Sequence, residues 1–205
     1  MNQITNETSL TSAFKAIIEA MSKTMEMRDP YTSGHQKRVA QISVEIAKKV
    51  KWPQERINSL YMAAMVHDIG KIGVPAEILT KPTTLNFHEL ALVKEHVEIG
   101  YDILKDIPFP WPIAEMVRQH HERLDGSGYP RQLKSNEILD EAKILAIADT
   151  IESIATHRPY RPSRGLDFAI TEIKNEAGVK LDKTFVEAAV SLMDKNQTLQ
   201  NIINS

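Results

Sequence analysis

The sequence predicts an all-α protein, a compact helical bundle, and three observations carry that expectation. Apolar residues recur at intervals of three and four along most of the chain, the period at which side chains share one face of a helix. No stretch alternates apolar and polar residues as a half-buried strand does. Most prolines and capping residues fall between the apolar runs, which punctuates the chain into helices.

Taken in order, residues 1–9 are polar and are expected to form a frayed tail. Phe14, Ile17, Ile18, Met21 and Met25 then give a lead helix over residues 10–28. In one reading its stripe covers the core; in another it is a connector from a preceding sensor domain, or the seam of a homodimer. Pro30 and Gly34 mark a loop, after which His35 opens a helix with the stripe Val39, Ile42, Ile46 and Val50. Pro53 suits the first turn of the next helix, whose Ile57, Leu60 and Tyr61 lead down to His67 and Asp68. Asn86, with Glu89 three residues on, predicts a capped helix to about Lys105, with Leu90, Val93, Val97 and Leu104 inward and His96 on the same face. Pro112 begins another, in which Ile113, Met116 and Val117 lead to His120 and His121. The Gly-rich stretch from Asp125 to Pro130 reads equally as a plain turn or as a functional loop. Ala142 to Thr156 is strongly helical, with Asp149 and Glu152 on one side. Ser163 is a candidate cap for a helix through Leu166, Ala169, Ile170 and Ile173 that ends at Gly178, and Asp182 for a last helix through Phe185, Ala189 and Leu192. Residues 29–196 then form the main domain and residues 197–205 a polar tail.

Composition narrows the function. A chain of 205 residues supports one sizeable core, and 42% apolar with 25% charged residues is ordinary for a globular protein. The net charge of −2 gives no overall attraction for nucleic acid, so an anionic ligand must be met by a local cluster. With no cysteine, disulfides, thiolate metal sites and a thiol nucleophile are excluded. No apolar run reaches the length of a membrane span and no signal pattern opens the chain, so a cytoplasmic location is expected.

What remains is an unusual concentration of ligands. Of seven histidines, His35, His67, His96, His120 and His121 lie on or at the end of inward helical faces, and so do Asp68 and Asp149. A single histidine on such a face is usually a hydrogen-bonded core residue. Seven such groups together would be costly to bury unless cations turned them into ligands. Nitrogen and oxygen donors without sulfur suit iron, manganese or zinc over calcium or magnesium. The carboxylate of Asp68 can bridge two cations, and Lys71 can meet a phosphate or a departing oxygen beside them.

Four ordered segments carry a resemblance. HDIGK, the upstream RDPYTSGHQKRV, and the downstream HHERLDGSGYP and ADTIESIATHRPYR resemble the HD-GYP phosphodiesterases, a branch of the HD-domain phosphohydrolases, over roughly Arg28 to Leu192. The resemblance implies an HD-domain bundle that hydrolyses cyclic di-GMP to the linear dinucleotide, and often on to GMP. It implies one metal on His35, His67, Asp68 and Asp149, and a second on Asp68, His96, His120 and His121. Iron or manganese come first, zinc next. Lys71 would stand near the scissile phosphate, Arg158 and Arg161 would contact ligand phosphates, and Gly128 and Tyr129 would belong to a loop beside the site where a protein partner could dock.

The implied chemistry is in-line attack on phosphorus by a hydroxide shared between the two cations, with a metal and Lys71 neutralising phosphate oxygens and Lys71, or a water it orients, protonating the leaving 3′ oxygen. Three departures from the family pattern bear on it. Tyr31 stands where some members have a glutamate supporting a third metal, so two metals are expected. Glu152 replaces the usual aspartate, which displaces a supporting or substrate contact by one methylene, and His157 replaces another. A binding module with little turnover, and a phosphodiesterase for a different cyclic dinucleotide, are the competing readings.

Overall fold

The computed structural model describes residues 2–28, 34–157, 161–193 and 197–205; side chains are described over the same residues except 2–11 and 28. The elements are α1 (Asn2–Arg28), α2 (His35–Lys49), α3 (Gln54–Val66), a 3-10 turn (Ile69–Gly73), α4 (Ala76–Leu79), α5 (Phe87–Lys94), α6 (His96–Leu104), α7 (Ile113–Gln119), α8 (Asp140–Ala155), α9 (Leu166–Glu176), α10 (Lys183–Val190) and α11 (Thr198–Ile203). Among the described residues there is no strand, only two isolated bridges at Asp125–Lys134 and Ala177–Leu181. No described helix is long and apolar enough to cross a membrane. The fold is all-α, as the periodicity requires.

Helices α2, α3 and α8 form the centre. Ile42 and Ile46 of α2, Leu60 and Met62 of α3, and Ile144, Leu145, Ile147 and Ile151 of α8 are among the largest fully buried side chains. Burying each such side chain contributes roughly 1.5–3 kcal/mol relative to exposing it. Around it α1 leans on α3 and the 3-10 turn, α7 on α3 and α8, α9 on α8, and α10 and α11 on α2. Acidic residues in the first turn of α8 complement the helix dipole, and Arg56 clamps both: its Nε donates to Glu141 Oε1 at 2.6 Å and its Nη2 to Asp140 Oδ2 at 3.2 Å. The Arg56 guanidinium also covers the Trp52 ring at 3.6 Å.

Five expectations need correction. Helix α1 begins at Asn2 rather than Leu10. Its Ile18 and Met25 are buried while Ile17 is 54% exposed, so only part of the predicted stripe faces the core. The single helix expected from Asn86 to Lys105 breaks at Glu95 into α5 and α6. The capping box at Asn86 and Glu89 forms as predicted, but the break rotates what precedes it off the core, and Leu90 is 44% exposed. Ser163 does not cap α9; Gly165 precedes that helix, and Ser163 Oγ instead donates to Ala155 O at 2.6 Å, tying the chain back to the end of α8. The expected polar tail contains α11, which buries Leu199 completely.

Candidate metal centre

Each donor is delivered by an element whose local sequence fixes its direction. His35 opens α2, His67 follows α3, and His96 opens α6. His120 closes α7 with His121 beside it, and Asp149 lies in α8. Gly70 lets these pieces approach: a Cβ there would overlap the His96 carbonyl oxygen and lie 2.5 Å from Gly100 N. The 3-10 turn carrying Lys71 is therefore pressed directly against α6.

The histidines share one hydrogen-bonding rule. Nδ1 of His67, His96 and His120 contacts the carbonyl oxygens of Ala64, Val93 and Val117 at 2.7, 2.6 and 2.6 Å. A carbonyl oxygen only accepts, so each Nδ1 carries the proton and each Nε2 presents a bare lone pair. His35 Nδ1 likewise donates to the Glu152 carboxylate at 2.5 Å. Arg38 grips the other Glu152 oxygen through Nε at 2.9 Å and Nη2 at 2.7 Å.

The lone pairs converge on carboxylates. Asp68 Oδ2 lies 3.5 Å from Nε2 of both His35 and His67, while its Oδ1 lies 3.5 Å from His96 Nε2. Asp149 Oδ1 is 3.5 Å from His35 Nε2 and 4.0 Å from His67 Nε2. His96 Nε2 and His120 Nε2 face each other at 3.4 Å. These distances are long for hydrogen bonds, and with Nδ1 of His67, His96 and His120 protonated, their Nε2 atoms meet the carboxylates and one another as lone pairs. Lone pairs facing one another repel, and His67 Nε2 is buried with no hydrogen-bond partner. A divalent cation reverses the sign of each contact, so the donor set fits a metal.

Donor atoms lie within 4.8 Å of one another in the groups His35, His67 and Asp149; His67, Asp68 and His120; and His96, His120 and His121. Protonation matches ligation. Burial pushes the His67, His120 and His121 imidazoles down, and that of His96 to about 4. Burial would raise Asp68, but the Lys71 cation and the surrounding imidazoles outweigh it and hold the carboxyl well below the ordinary range. Neutral imidazoles and an ionised carboxylate are the forms metals bind.

The rim holds other predicted residues. Lys71 Nζ donates to Asp68 Oδ2 at 2.7 Å. The Gly-rich loop folds back on the histidine pair: a Cβ on Gly128 would overlap the backbone of Glu122 and Arg123 and lie 2.5 Å from His121 O, so only glycine fits. Tyr129 thereby stacks on His121, with centroids 4.8 Å apart and planes at 27°. Burial, then the negative charges of Asp149 and Asp68, raise its phenol, which stays protonated.

Other placements bear on expectation. Glu152 is fully buried against His35 and Arg38, which matches the supporting contact of its two expected readings. Arg161 turns its guanidinium to the carbonyls of Ser153 and Ile154 at 2.5 and 3.4 Å, at the end of α8. Arg158 and Tyr31 lie outside the described residues. His88 and His157 are exposed, as expected. Sequence reasoning passed over Arg38, one helical turn beyond His35, and Glu122, whose two oxygens accept from the backbone N–H of Arg131 and Leu133 at 2.7 and 2.9 Å and so hold the Gly-rich loop. A polar residue one turn behind a ligand, or adjacent to one, was the available signal.

Comparison with known proteins places the chain in a family. The sequence profile of the HD domain family matches residues 19–185. A cyclic di-GMP phosphodiesterase of Thermotoga maritima is 38% identical over 178 residues, which are 86% of this chain and 48% of that protein. A 3′3′-cGAMP-specific phosphodiesterase, number 3 of Vibrio cholerae, is 35% identical, over 82% of this chain and 36% of its own length. The chain thus spans about half or less of the curated relatives it matches. Among solved structures, an HDG"Y"P protein from Bdellovibrio bacteriovorus superposes with a TM-score of 0.69 at 17% identity, covering 89% of this chain and 64% of that one.

Proposed function

The chain belongs to the HD domain family, and from that premise we propose that it is a metal-dependent phosphodiesterase that hydrolyses cyclic di-GMP to the linear dinucleotide, and on to GMP. The observation that carries this reading is the Asp68 carboxylate, one oxygen facing His35 and His67 and the other facing His96. Two donor groups sharing one carboxylate suit a pair of cations. His35, His67, Asp68 and Asp149 would hold one, and Asp68, His96, His120 and His121 the other. Iron or manganese suit this nitrogen-rich, sulfur-free set first and zinc next.

Cations held there would lower the pKa of a bound water toward neutrality and would offset charge on phosphate oxygens. The protein's own groups do the rest. Lys71, beside Asp68, pairs with a phosphate oxygen and donates a proton to the departing 3′ oxygen. Arg38 and Glu152 hold the His35 ring so that its lone pair stays aimed inward. The stack of Tyr129 on His121 walls the centre on the side of the Gly-rich loop and excludes water there. No side-chain nucleophile is needed, since the attacking oxygen comes from water.

The relatives' names also support a second substrate class, the mixed GMP–AMP cyclic dinucleotide. We place the reaction in the cytoplasm. Exposed Ile17 and Met27 on α1 are compatible with the homodimer seam expected of the lead helix. The test is chromatography of reaction products from iron- or manganese-loaded protein given cyclic di-GMP and the mixed dinucleotide. Linear dinucleotide and mononucleotide products support the proposal. Tight nucleotide binding without turnover favours the binding-module reading instead, and cleavage of the mixed substrate alone transfers the specificity.

A further inference from the structure

Helix α1 carries two apolar stripes, and the body of the protein uses one of them. Phe14, Ile18, Met21 and Met25 recur at intervals of four, three and four. Ile18 and Met25 are buried, and Phe14 and Met21 pack against the same core. The second stripe, Ala13, Ile17, Ala20, Thr24 and Met27, recurs at intervals of four, three, four and three. All five of its residues are exposed, Met27 at 86%. Thr24 adds little polar character to this face, because its hydroxyl already donates to the Ala20 carbonyl oxygen at 3.0 Å.

Alternating steps of three and four along one face are the heptad of a coiled coil. Ile17 and Thr24 take its first position, and Ala13, Ala20 and Met27 its fourth. β-branched residues in the first position favour two parallel strands. The flanking positions Phe14, Ala16, Met21 and Lys23 hold one charge among four, so they carry no code for an oppositely charged partner. Other charges of α1 are drawn to the body. Lys15 Nζ lies 4.9 Å from the Tyr61 centroid, Glu19 accepts from the Tyr61 hydroxyl at 3.2 Å, and Glu26 accepts from Gly34 N at 3.0 Å. A face that is apolar, periodic and self-complementary fits a second copy of itself.

We propose that the outer face of α1 is the seam of a parallel, in-register dimer with the same helix of a second copy of this chain, and that the dimer steadies the first candidate metal position. The inference rests on the homodimer reading of the lead helix and deepens it. The coupling runs through Glu26. Its carboxylate holds Gly34, the left-handed residue (φ 72°) from which His35 opens α2. Gly34 O accepts from Arg38 N at 2.9 Å, and Arg38 grips the Glu152 carboxylate that supports His35. The same helix leans on the 3-10 turn that carries Lys71. A seam that fixes α1 therefore fixes two elements of the centre at once.

The experiment uses the full chain, in which any introduced cysteine is the sole thiol. Light scattering after gel filtration should give twice the chain mass for wild type. Ile17→Glu sets two carboxylates face to face in the seam and should give the single-chain mass. Its unfolding stability should stay near wild type, because Ile17 does not face the core. Met27→Cys should cross-link to itself under mild oxidation, since fourth positions of parallel strands lie within disulfide reach. Ile17→Glu and Glu26→Ala should each weaken metal binding, measured by chelator competition, by up to about tenfold. A wild type of single-chain mass, an Ile17→Glu variant that stays dimeric, or a Met27→Cys variant that does not cross-link would overturn the seam. A disulfide between Ala13→Cys and Met27→Cys chains would overturn it too, since only antiparallel strands bring those positions together. A monomeric Ile17→Glu with wild-type metal affinity would overturn the coupling. None of these measurements needs substrate, so a failure to cleave cyclic dinucleotides defeats the functional reading and leaves the seam to mass and cross-link.

Discussion

The ligand shell and the rim around it are built by different means. In the shell His35, His67, Asp68, His96 and His120 are each at most 2% exposed, and each of these imidazoles is held through its Nδ1 by a backbone carbonyl or a buried carboxylate. On the rim, α4 and α5 bury no residue, Phe87 is 81% exposed, and Lys71 and Tyr129 are only partly covered. The contrast teaches that binding cations demands fixed direction, which comes from close-packed helices, whereas admitting a flexible dinucleotide demands reach and charge, which come from turns and helix ends. Changes in the shell should abolish the site outright, and changes at the rim should grade it.

The largest effect is expected from Asp68→Asn, which removes the shared charged ligand. Activity should fall by roughly a thousandfold or more, with metal content by elemental analysis falling alongside. Retained metal and activity would dissolve the distinction between shell and rim. Gly70→Ala should follow, because its methyl must displace the backbone of α6. A loss of about 3 kcal/mol or more in denaturant unfolding is expected, with disrupted metal binding. Lys71→Met keeps the shell intact, so metal content should stay near wild type while kcat falls by about 10²–10⁴-fold. Glu152→Gln tests the support of His35: metal affinity, measured by competition with a chelator, should weaken by roughly 10–100-fold while the fold persists. At the small end, Phe87→Ser should alter unfolding stability by no more than about 0.5 kcal/mol, since its ring already faces solvent.

The same contrast explains what the sequence disclosed. Donors on helices were legible because a histidine following Val66, or preceding Val97, inherits the direction of the apolar stripe around it. The capping box at Asn86 and Glu89 and the cap at Asp182 were legible for a similar reason, since both are short-range. The break at Glu95 was not. The residues on either side continue a helical pattern, and only packing of α6 against the 3-10 turn and α7 shows that the chain must bend there. Glu152 read as a supporting or a substrate contact, with the two left open, because spacing gave its face but not its partner, and Arg38 is distant in sequence.

The central claim is that two cations share the Asp68 carboxylate. Anomalous X-ray diffraction from crystals of protein purified without air and loaded with iron or manganese tests it most directly. The account predicts two peaks flanking Asp68, one among His35, His67 and Asp149, and the other among His96, His120 and His121. A single peak, or peaks away from this carboxylate, would contradict it.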